Sequence, residues 1–385
     1  MINRNLFILS IGQIFSFTSP VVNVLLSGVI GISMTQVNYL ATLPTALMIV
    51  GTAVGSLFAS KIMKIKGRKF GFSLASIINS LFSLVCAYAI LINNFNLFCL
   101  GNLIIGLSVA FAQQYRFAAT ESVETSNIPK AISLILLLGI VASLLGANIV
   151  SFTKDFHYTT YVGSYLAMSL LTIIPFFFFL FYKNEEKINS SNFKSKKSLF
   201  ELISNKNIQL SILSAGVGYT TMSILMTATP ISMNMMHGFS IFSTGLVLQM
   251  HVVGMFLPSL ITGDLIKKFG HKNIIYAGIL FLISTIIIHF LFETYYGFMI
   301  GLIFLGIGWN FLFVSGTSLL VISYNKEDKF LAQGLNDFVV FSSQALGSLS
   351  AGIILFSTSW KTLNLICLPL LLILLIFSLK SFLKK

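Results

Sequence analysis

Apolar runs long enough to cross a lipid bilayer follow one another along almost the whole chain. A helix needs about 20 residues to span a hydrocarbon layer of roughly 30 Å, and such runs recur from Leu6 almost to Lys380 with no room for a soluble domain between them. The sequence predicts twelve membrane spans, at 6–30, 37–62, 70–92, 95–118, 130–153, 158–182, 207–233, 240–266, 271–292, 295–320, 332–355 and 359–379.

Composition supports an all-α integral membrane protein. Charged residues make up 9% of the chain and hydrophobic residues 56%, whereas about a quarter of a soluble domain is charged. The first run follows Arg4 as in a signal peptide, but it is too long and no small-residue cleavage site follows it. We therefore expect it to be the first span.

Basic residues predict the orientation, because Lys and Arg concentrate in cytoplasmic loops. If the N-terminus lies inside, only Lys154 and Lys361 of the 24 basic residues fall outside. Both termini are thus predicted to be cytoplasmic. The net charge of +13 then suits an anionic inner leaflet and does not require nucleic acid as a partner.

The sequence carries no motif of an enzyme or a metal site. It contains no HExxH, GxSxG or GxxxxGK[ST], and Cys86, Cys99 and Cys367 lie in apolar runs without other ligands at metal-binding spacing. We expect no catalytic residue, metal or cofactor.

Two similar basic loops reveal an internal repeat. SKIMKIKGRK at 60–69 and GDLIKKFGHK at 263–272 align at an offset of 203, Gly101 and Gly106 align with Gly301 and Gly306, and Ala131 aligns with Ala332. The sequence therefore predicts two parallel six-helix halves. We place an N-terminal bundle at 1–182, a cytoplasmic linker at 183–206 and a C-terminal bundle at 207–385.

This organisation resembles the major facilitator superfamily. Six plus six helices, a central loop and a basic, Gly-containing loop after the second helix of each half carry the resemblance. It implies secondary transport by alternating access, through rocking of two bundles around one central site, in the cytoplasmic (inner) membrane of a bacterium.

Several positions depart from the family pattern. Lys64 and Lys267 stand where the loop usually has an acid, Asn102 stands where many proton-coupled relatives have Arg, and Gly146–Ala147 replaces the Gly-Pro of drug antiporters. These differences favour uptake over drug efflux. QMHVVGMFLPSLITG at 249–263 and AQGLNDF at 332–338 resemble a bacterial subgroup linked to vitamin uptake, riboflavin included.

Ionisable residues within spans are candidates for function, because burying a charge in lipid is costly. Arg116 either snorkels to headgroups or acts as a gate or substrate contact. For Asp337 we predict an ion pair with Lys64 or Arg68 that holds an inner gate, and by symmetry a pairing of Lys267 with Glu121 or Glu124 in the other half. These gate residues are Lys64, Arg68, Arg116, Glu121, Glu124, Lys267 and Asp337.

Proton coupling has two candidates, His251 and Asp337. A histidine has an ordinary pKa of about 6.5 and titrates near neutrality. A lone histidine in a helix is also a common packing residue, so both interpretations of His251 stay open.

Polar and aromatic residues of the first and fourth helices of each half, which line the cavity in this family, suggest a neutral, partly aromatic solute. They are Gln13, Phe17, Asn23, Gln113, Tyr219, Trp309 and Asn310. Helix–helix hydrogen bonding is the alternative role for the amides. Gly51 and Gly55 form a G-x-x-x-G pair that predicts close approach to another helix, such as the one carrying Gly347.

The leading hypothesis is a monomeric transporter that takes up a vitamin-like or polar metabolite, with a small molecule, the bilayer and a coupling proton as partners. A proton-coupled drug or metabolite efflux antiporter is the alternative. The two-half repeat argues against a channel, and a transport-silent receptor stays open.

Overall fold

The computed structural model describes residues 3–36, 40, 42–184 and 198–380, and every regular element in these ranges is helical. The α-helices are α1 (Arg4–Ser16), α2 (Thr18–Met34), α3 (Leu43–Lys66), α4 (Arg68–Leu91), α5 (Phe95–Ala112), α6 (Tyr115–Glu121), α7 (Ile128–Leu137), α8 (Gly139–Thr153), α9 (Val162–Phe179), α10 (Leu199–Ser204), α11 (Lys206–Ile231), α12 (Ile241–Phe256), α13 (Ser259–Phe269), α14 (His271–Leu291), α15 (Tyr295–Val321), α16 (Lys329–Ser357) and α17 (Trp360–Lys380).

Within the described ranges, twelve helical stretches are long and apolar enough to cross a membrane, as predicted. Helices suit this environment because each backbone N–H and C=O finds its partner within the segment. The predicted boundaries agree to within six residues; the largest differences are at the starts of the second span, Leu43–Lys66, and the eleventh, Lys326–Ser357. The prediction of an all-α membrane protein with twelve spans is confirmed, and the cytoplasmic location of both termini stays a prediction.

The chain divides into two structural units. Unit 1 consists of Met1–Glu124, Leu138–Lys196 and Glu327–Phe338, and unit 2 consists of Thr125–Leu137, Lys197–Lys326 and Val339–Lys385. Each unit therefore contains one short segment from the other half of the sequence. The predicted boundaries at 182 and 207 stay a prediction, and residues 185–197 of the predicted linker lie outside the described residues.

Close helix crossings in unit 1 depend on glycine. A Cβ atom added to Gly51 would overlap the carbonyl oxygen of Leu103, and one added to Gly106 would overlap that of Met48. Helices α3 and α5 thus pack backbone against backbone. The predicted partner of the G-x-x-x-G pair was wrong: Gly347 packs on α11 within unit 2, next to Thr220.

Unit 2 repeats this crossing 203 and 200 residues later. A Cβ on Gly254 would lie 2.7 Å from the carbonyl oxygen of Ile303, and one on Gly306 would lie 2.6 Å from the nitrogen of Met255. The basic loops match as well, since Gly67 has φ +85° and Gly270 has φ +82°. Only glycine adopts this left-handed conformation without strain, so the chain can turn at once from one span into the next.

Candidate functional site

A break in the fourth span creates the polar centre of unit 1. Helix α5 ends at Ala112, and α6 begins at Tyr115. At the break, the N–H of Gln114 donates to the carbonyl of Phe111 and the N–H of Phe117 donates to the carbonyl of Gln114, so the α-helical pattern is interrupted at the carbonyl of Gln113. The carbonyl oxygen of Gln113 therefore accepts a hydrogen bond of 2.7 Å from Nη1 of Arg116, and its side-chain Oε1 accepts another of 3.1 Å.

Arg116 forms a buried ion pair with Asp337. Nη2 of Arg116 donates to Oδ1 of Asp337, and both side chains are almost fully shielded from solvent. The same carboxylate accepts from Nε2 of Gln114 at 2.7 Å and from Nδ2 of Asn336 at 3.0 Å. Three donors thus satisfy a charge that would be costly to bury alone. Snorkelling of Arg116 to the headgroups, one of the two alternatives from the sequence, is wrong.

A second ionic cluster joins the first basic loop to α6 and α16. Nε and Nη2 of Arg68 donate to the two oxygens of Glu121 at 2.7 and 2.5 Å, the forked geometry in which Arg binds carboxylates best. Nη2 also donates to Oε1 of Gln333 at 2.9 Å, and Nζ of Lys329 lies 3.2 Å from Glu121. Arg68 therefore links α4, α6 and α16.

These contacts hold residues Glu327–Phe338, which we call the docked segment, inside unit 1. Asp337, Asn336, Gln333 and Lys329 all belong to it, and each contacts a residue of the first sequence half or a neighbour that does. Gly334 brings its backbone against α3, where a Cβ would lie 2.8 Å from Cβ of Ser60. The segment is thus held both by close packing and by charged contacts.

The predicted partners of the gate residues need correction. Asp337 pairs with Arg116 and not with Lys64 or Arg68, because Lys64 is on an exposed face of α3. Lys267 contacts Oδ1 of Asn127 at 2.6 Å rather than an acid.

Glu121 instead binds Arg68 and Lys329, and Glu124 is exposed. The pairing of Lys267 predicted from the internal symmetry is wrong because the two halves do not carry matching charges at equivalent positions. A carboxylate ends α6, whereas Val321 ends α15.

Two amides predicted to line a cavity are instead part of helix packing. Nδ2 of Asn310 donates to the carbonyl of Met255 and to Oγ of Ser259, both at 2.7 Å, and its Oδ1 accepts from Thr262 at 2.8 Å. Asn310 is fully buried, so its polar atoms fasten α15 to α12 and α13. The alternative given for the amides is the one the contacts support.

Asn23 has the same role in unit 1. Its Oδ1 accepts from the hydroxyl of Tyr165 at 2.8 Å, and its Nδ2 donates to the carbonyl of Ser19 at 3.0 Å. The residue is fully buried. It thus joins α2 to α9 and presents no surface to a solute.

Trp309 and Tyr219 belong to a buried aromatic cluster of unit 2. The indole of Trp309 stacks on Phe313 with centroids 5.1 Å apart, and Tyr219 meets Trp309, Phe313 and Phe341 edge to face at 5.2, 5.1 and 5.6 Å. Trp309 is 1% exposed, and its Nε1 has no hydrogen-bond acceptor among the described residues. A role in solute binding stays a prediction for both.

The remaining candidates divide by exposure. Gln13 is buried in α1, whereas Phe17, at the junction of α1 and α2, and Gln113 are partly exposed. His251 is fully buried, and its Nδ1 lies 2.8 Å from the carbonyl oxygen of Leu302. This contact supports the packing interpretation, and proton coupling through His251 stays a prediction.

Several partners of the charged residues were not predicted. Gln114, Lys329, Gln333 and Asn336 complete the two ionic clusters, and all but Gln114 belong to the docked segment. The signal was available in AQGLNDF, where four polar or glycine residues interrupt an apolar run within seven positions. A helix that only faces lipid and other helices has little use for such a density of amides.

Comparison with known proteins places the chain among membrane transporters. A family model described as Major Facilitator Superfamily matches residues 6–315 and 212–385. The riboflavin transporter RfnT of Brucella anthropi is 33% identical over 381 residues, which cover 97% of this chain and 94% of that protein. The MFS-type transporter YdeG of Bacillus subtilis is 29% identical and covers 94% of this chain and 88% of its own.

Solved structures agree on the fold. The transporter FucP, solved in an outward conformation, superposes with a TM-score of 0.76 at 15% identity and covers 100% of both chains. The human organic anion transporter MFSD10 gives a TM-score of 0.77 at 12% identity, covering 97% of this chain and 99% of that one. At these identities the likeness concerns the fold alone.

Proposed function

The chain belongs to the major facilitator superfamily, so it is a multi-pass membrane transporter and not an enzyme, and we propose that it takes up a small organic solute by alternating access. It works in the bacterial cytoplasmic membrane with both termini inside, and one chain suffices. The charge distribution supports this orientation, since the basic loops 60–69 and 263–272 would both be cytoplasmic.

The docked segment is the observation that carries the mechanism. Alternating access needs a contact that closes one end of the pathway and then releases it. The Arg116–Asp337 pair and the Arg68–Glu121–Lys329 cluster supply such a contact, because they tie residues 327–338 of the second sequence half to spans of the first. Release would expose both charges to water, which lowers the cost of breaking them.

Riboflavin is the first solute to test. The relative that is 33% identical over nearly the whole chain is named as a riboflavin transporter. A flavin ring is flat and aromatic and carries carbonyl acceptors. The Trp309 cluster offers ring faces together with an indole N–H for which the described residues provide no acceptor. A buried donor without a partner costs about 1–3 kcal/mol, and a bound flavin could remove that cost once the site opens.

Transport into proteoliposomes tests the proposal. Radiolabelled riboflavin should accumulate with the wild-type protein, and Trp309→Leu should abolish it. Trp360→Leu is a matched control, because Trp360 is also in unit 2, 2% exposed and without an acceptor for Nε1 among the described residues. Riboflavin that neither binds nor accumulates would refute this solute, and active extrusion of lipophilic cations would favour the efflux alternative.

A further inference from the structure

A cavity of about 280 Å³ lies at the end of unit 2 that carries the second basic loop. Its lining consists of Thr125, Ser126, Pro129, Ile266, Lys267, His271, Ser318 and Ile322. Five of these residues carry a hydroxyl, an ammonium or an imidazole group, and the lining contains no carboxylate. A cavity of this composition is suited to a negatively charged ligand.

The internal repeat shows which group is missing there. Arg68 and His271 both begin a helix directly after a left-handed glycine, and Glu121 and Val321 are the last residues of α6 and α15. Both helix ends are followed by a short 3-10 turn, Thr125–Asn127 in one half and Lys326–Asp328 in the other. The two corners are therefore equivalent in backbone and different in charge.

In unit 1 the corner is filled by the carboxylate of Glu121, which binds Arg68 at 2.5 Å and Lys329 at 3.2 Å. In unit 2 the position equivalent to Glu121 is Val321, yet the basic and polar groups around it are retained. Nζ of Lys267 donates to Oδ1 of Asn127 at 2.6 Å, and Nε2 of His271 lies 2.8 Å from Oγ of Ser318. Among the described residues, the lining of this corner of unit 2 thus carries donors and no carboxylate.

The described acids nearby do not take this place. Asp264, one turn before Lys267 on α13, is 2.5 Å from Nζ of Lys130, and Glu124 is exposed and does not line the cavity. Helix α7 begins at Ile128 beside the lining residue Pro129, and the N-terminus of a helix carries a partial positive charge.

We propose that this cavity binds a phosphate-type oxyanion, which takes the position that Glu121 has in unit 1. Lys267, His271 and the hydroxyls of Thr125, Ser126 and Ser318 provide donors from several directions, as a tetrahedral anion requires. The anion would tie the segment around Thr125–Asn127 to α13, α14 and α15 within unit 2. The phosphate belongs either to a free ion or to an anionic lipid headgroup, and the site is separate from that of the transported solute.

Thermal unfolding of the detergent-purified, full-length protein tests the proposal. Inorganic phosphate is titrated at constant ionic strength, and in a second series short-chain phosphatidylglycerol replaces it. The unfolding midpoint of the wild type should rise with ligand concentration as expected for binding to the folded state. Lys267→Gln should weaken the apparent affinity by about tenfold or more, since a hydrogen bond to a charged group contributes about 1.5–3 kcal/mol.

Two further variants make the test decisive. Lys268→Gln removes the same charge one residue away, where the ammonium lies against the Phe269 ring and outside the cavity lining, so it should respond like the wild type. Val321→Glu restores the built-in acid and should abolish the response. A response to phosphate alone identifies a free ion, and one to the lipid alone identifies a headgroup.

The proposal is overturned if neither ligand raises the midpoint or if Lys267→Gln and Lys268→Gln respond equally. If Lys267→Gln does not fold, a wild-type response in Val321→Glu overturns it as well. All readouts measure binding, so they are independent of which solute is carried.

Discussion

Breaking the Arg116–Asp337 pair should destabilise the protein far more than breaking an exposed pair. Asp337→Asn removes the carboxylate that pairs with the buried guanidinium of Arg116, and breaking a buried pair in this way costs about 3–5 kcal/mol in known cases. Arg116→Met leaves the carboxylate with only Gln114 and Asn336 as donors, and a similar loss is expected. The double variant Arg116→Met with Asp337→Leu removes both charges and should recover about 2 kcal/mol or more of the summed losses.

The matched control is the exposed pair of Lys130 and Asp264, whose side chains are 36% and 62% exposed. Asp264→Asn should cost less than about 1 kcal/mol, because solvent screens such pairs. Unfolding midpoints of the purified variants provide the comparison. A loss in Asp337→Asn no larger than in Asp264→Asn would refute the reasoning, as would a double variant as unstable as the two single variants combined.

Release of the docked segment can be measured separately with a thiol reporter. Cys86, Cys99 and Cys367 are buried, so the background of maleimide labelling should be low. Ser60→Cys places a thiol on α3 under Gly334, where the reagent reaches it only after the segment leaves. If Asp337→Asn removes about 3 kcal/mol of docking energy, labelling of Ser60→Cys in that background should be faster by roughly a hundredfold. An unchanged labelling rate would mean that the ion pair does not hold the segment.

Two substitutions test the packing around these elements. Gly334→Ala should loosen the docked segment at a cost of about 1–3 kcal/mol, because its Cβ would lie 2.8 Å from Cβ of Ser60, and adding Ser60→Gly should restore the unfolding midpoint; a double variant no better than the single one would contradict the assigned contact. Asn310→Leu should lower the free energy of unfolding by about 1–3 kcal/mol through the loss of three interhelical hydrogen bonds, while the riboflavin dissociation constant stays the same. A weakened affinity at unchanged stability would instead indicate that Asn310 contacts the solute.

The spans and the repeat could be predicted because they depend on properties local to a segment. A run of about 20 apolar residues must form a helix in lipid wherever it lies in the chain. Gly67 and Gly270 are at equivalent positions in the two halves and adopt the same turn conformation. Neither inference needs to know which helices are neighbours.

Ion-pair partners could not be predicted in this way, because they depend on contacts between distant segments. Asp337 and Arg116 are 221 positions apart, and the sequence does not give the direction in which either side chain points. The sequence predicts Lys64 or Arg68 as the partner of Asp337, whereas the break at Gln113 and Gln114 places Arg116 against it.

Amides and aromatics posed a related problem for the candidate solute site. Asn310 and a residue that binds a solute look alike in sequence, because both are polar groups in an apolar span. Only the contacts separate them, and for Asn310 three hydrogen bonds leave no free polar atom pointing to a ligand.

The exchanged segments also bear on how the protein is made. Unit 1 is incomplete until residues 327–338 exist, and Arg116 is synthesised 221 residues before its counter-ion. At a translation rate of about 5–20 residues per second, the arginine waits roughly 10–45 s. During that time it has to stay hydrated or be shielded by the insertion machinery, so synthesis of the eleventh span completes the assembly of the first bundle.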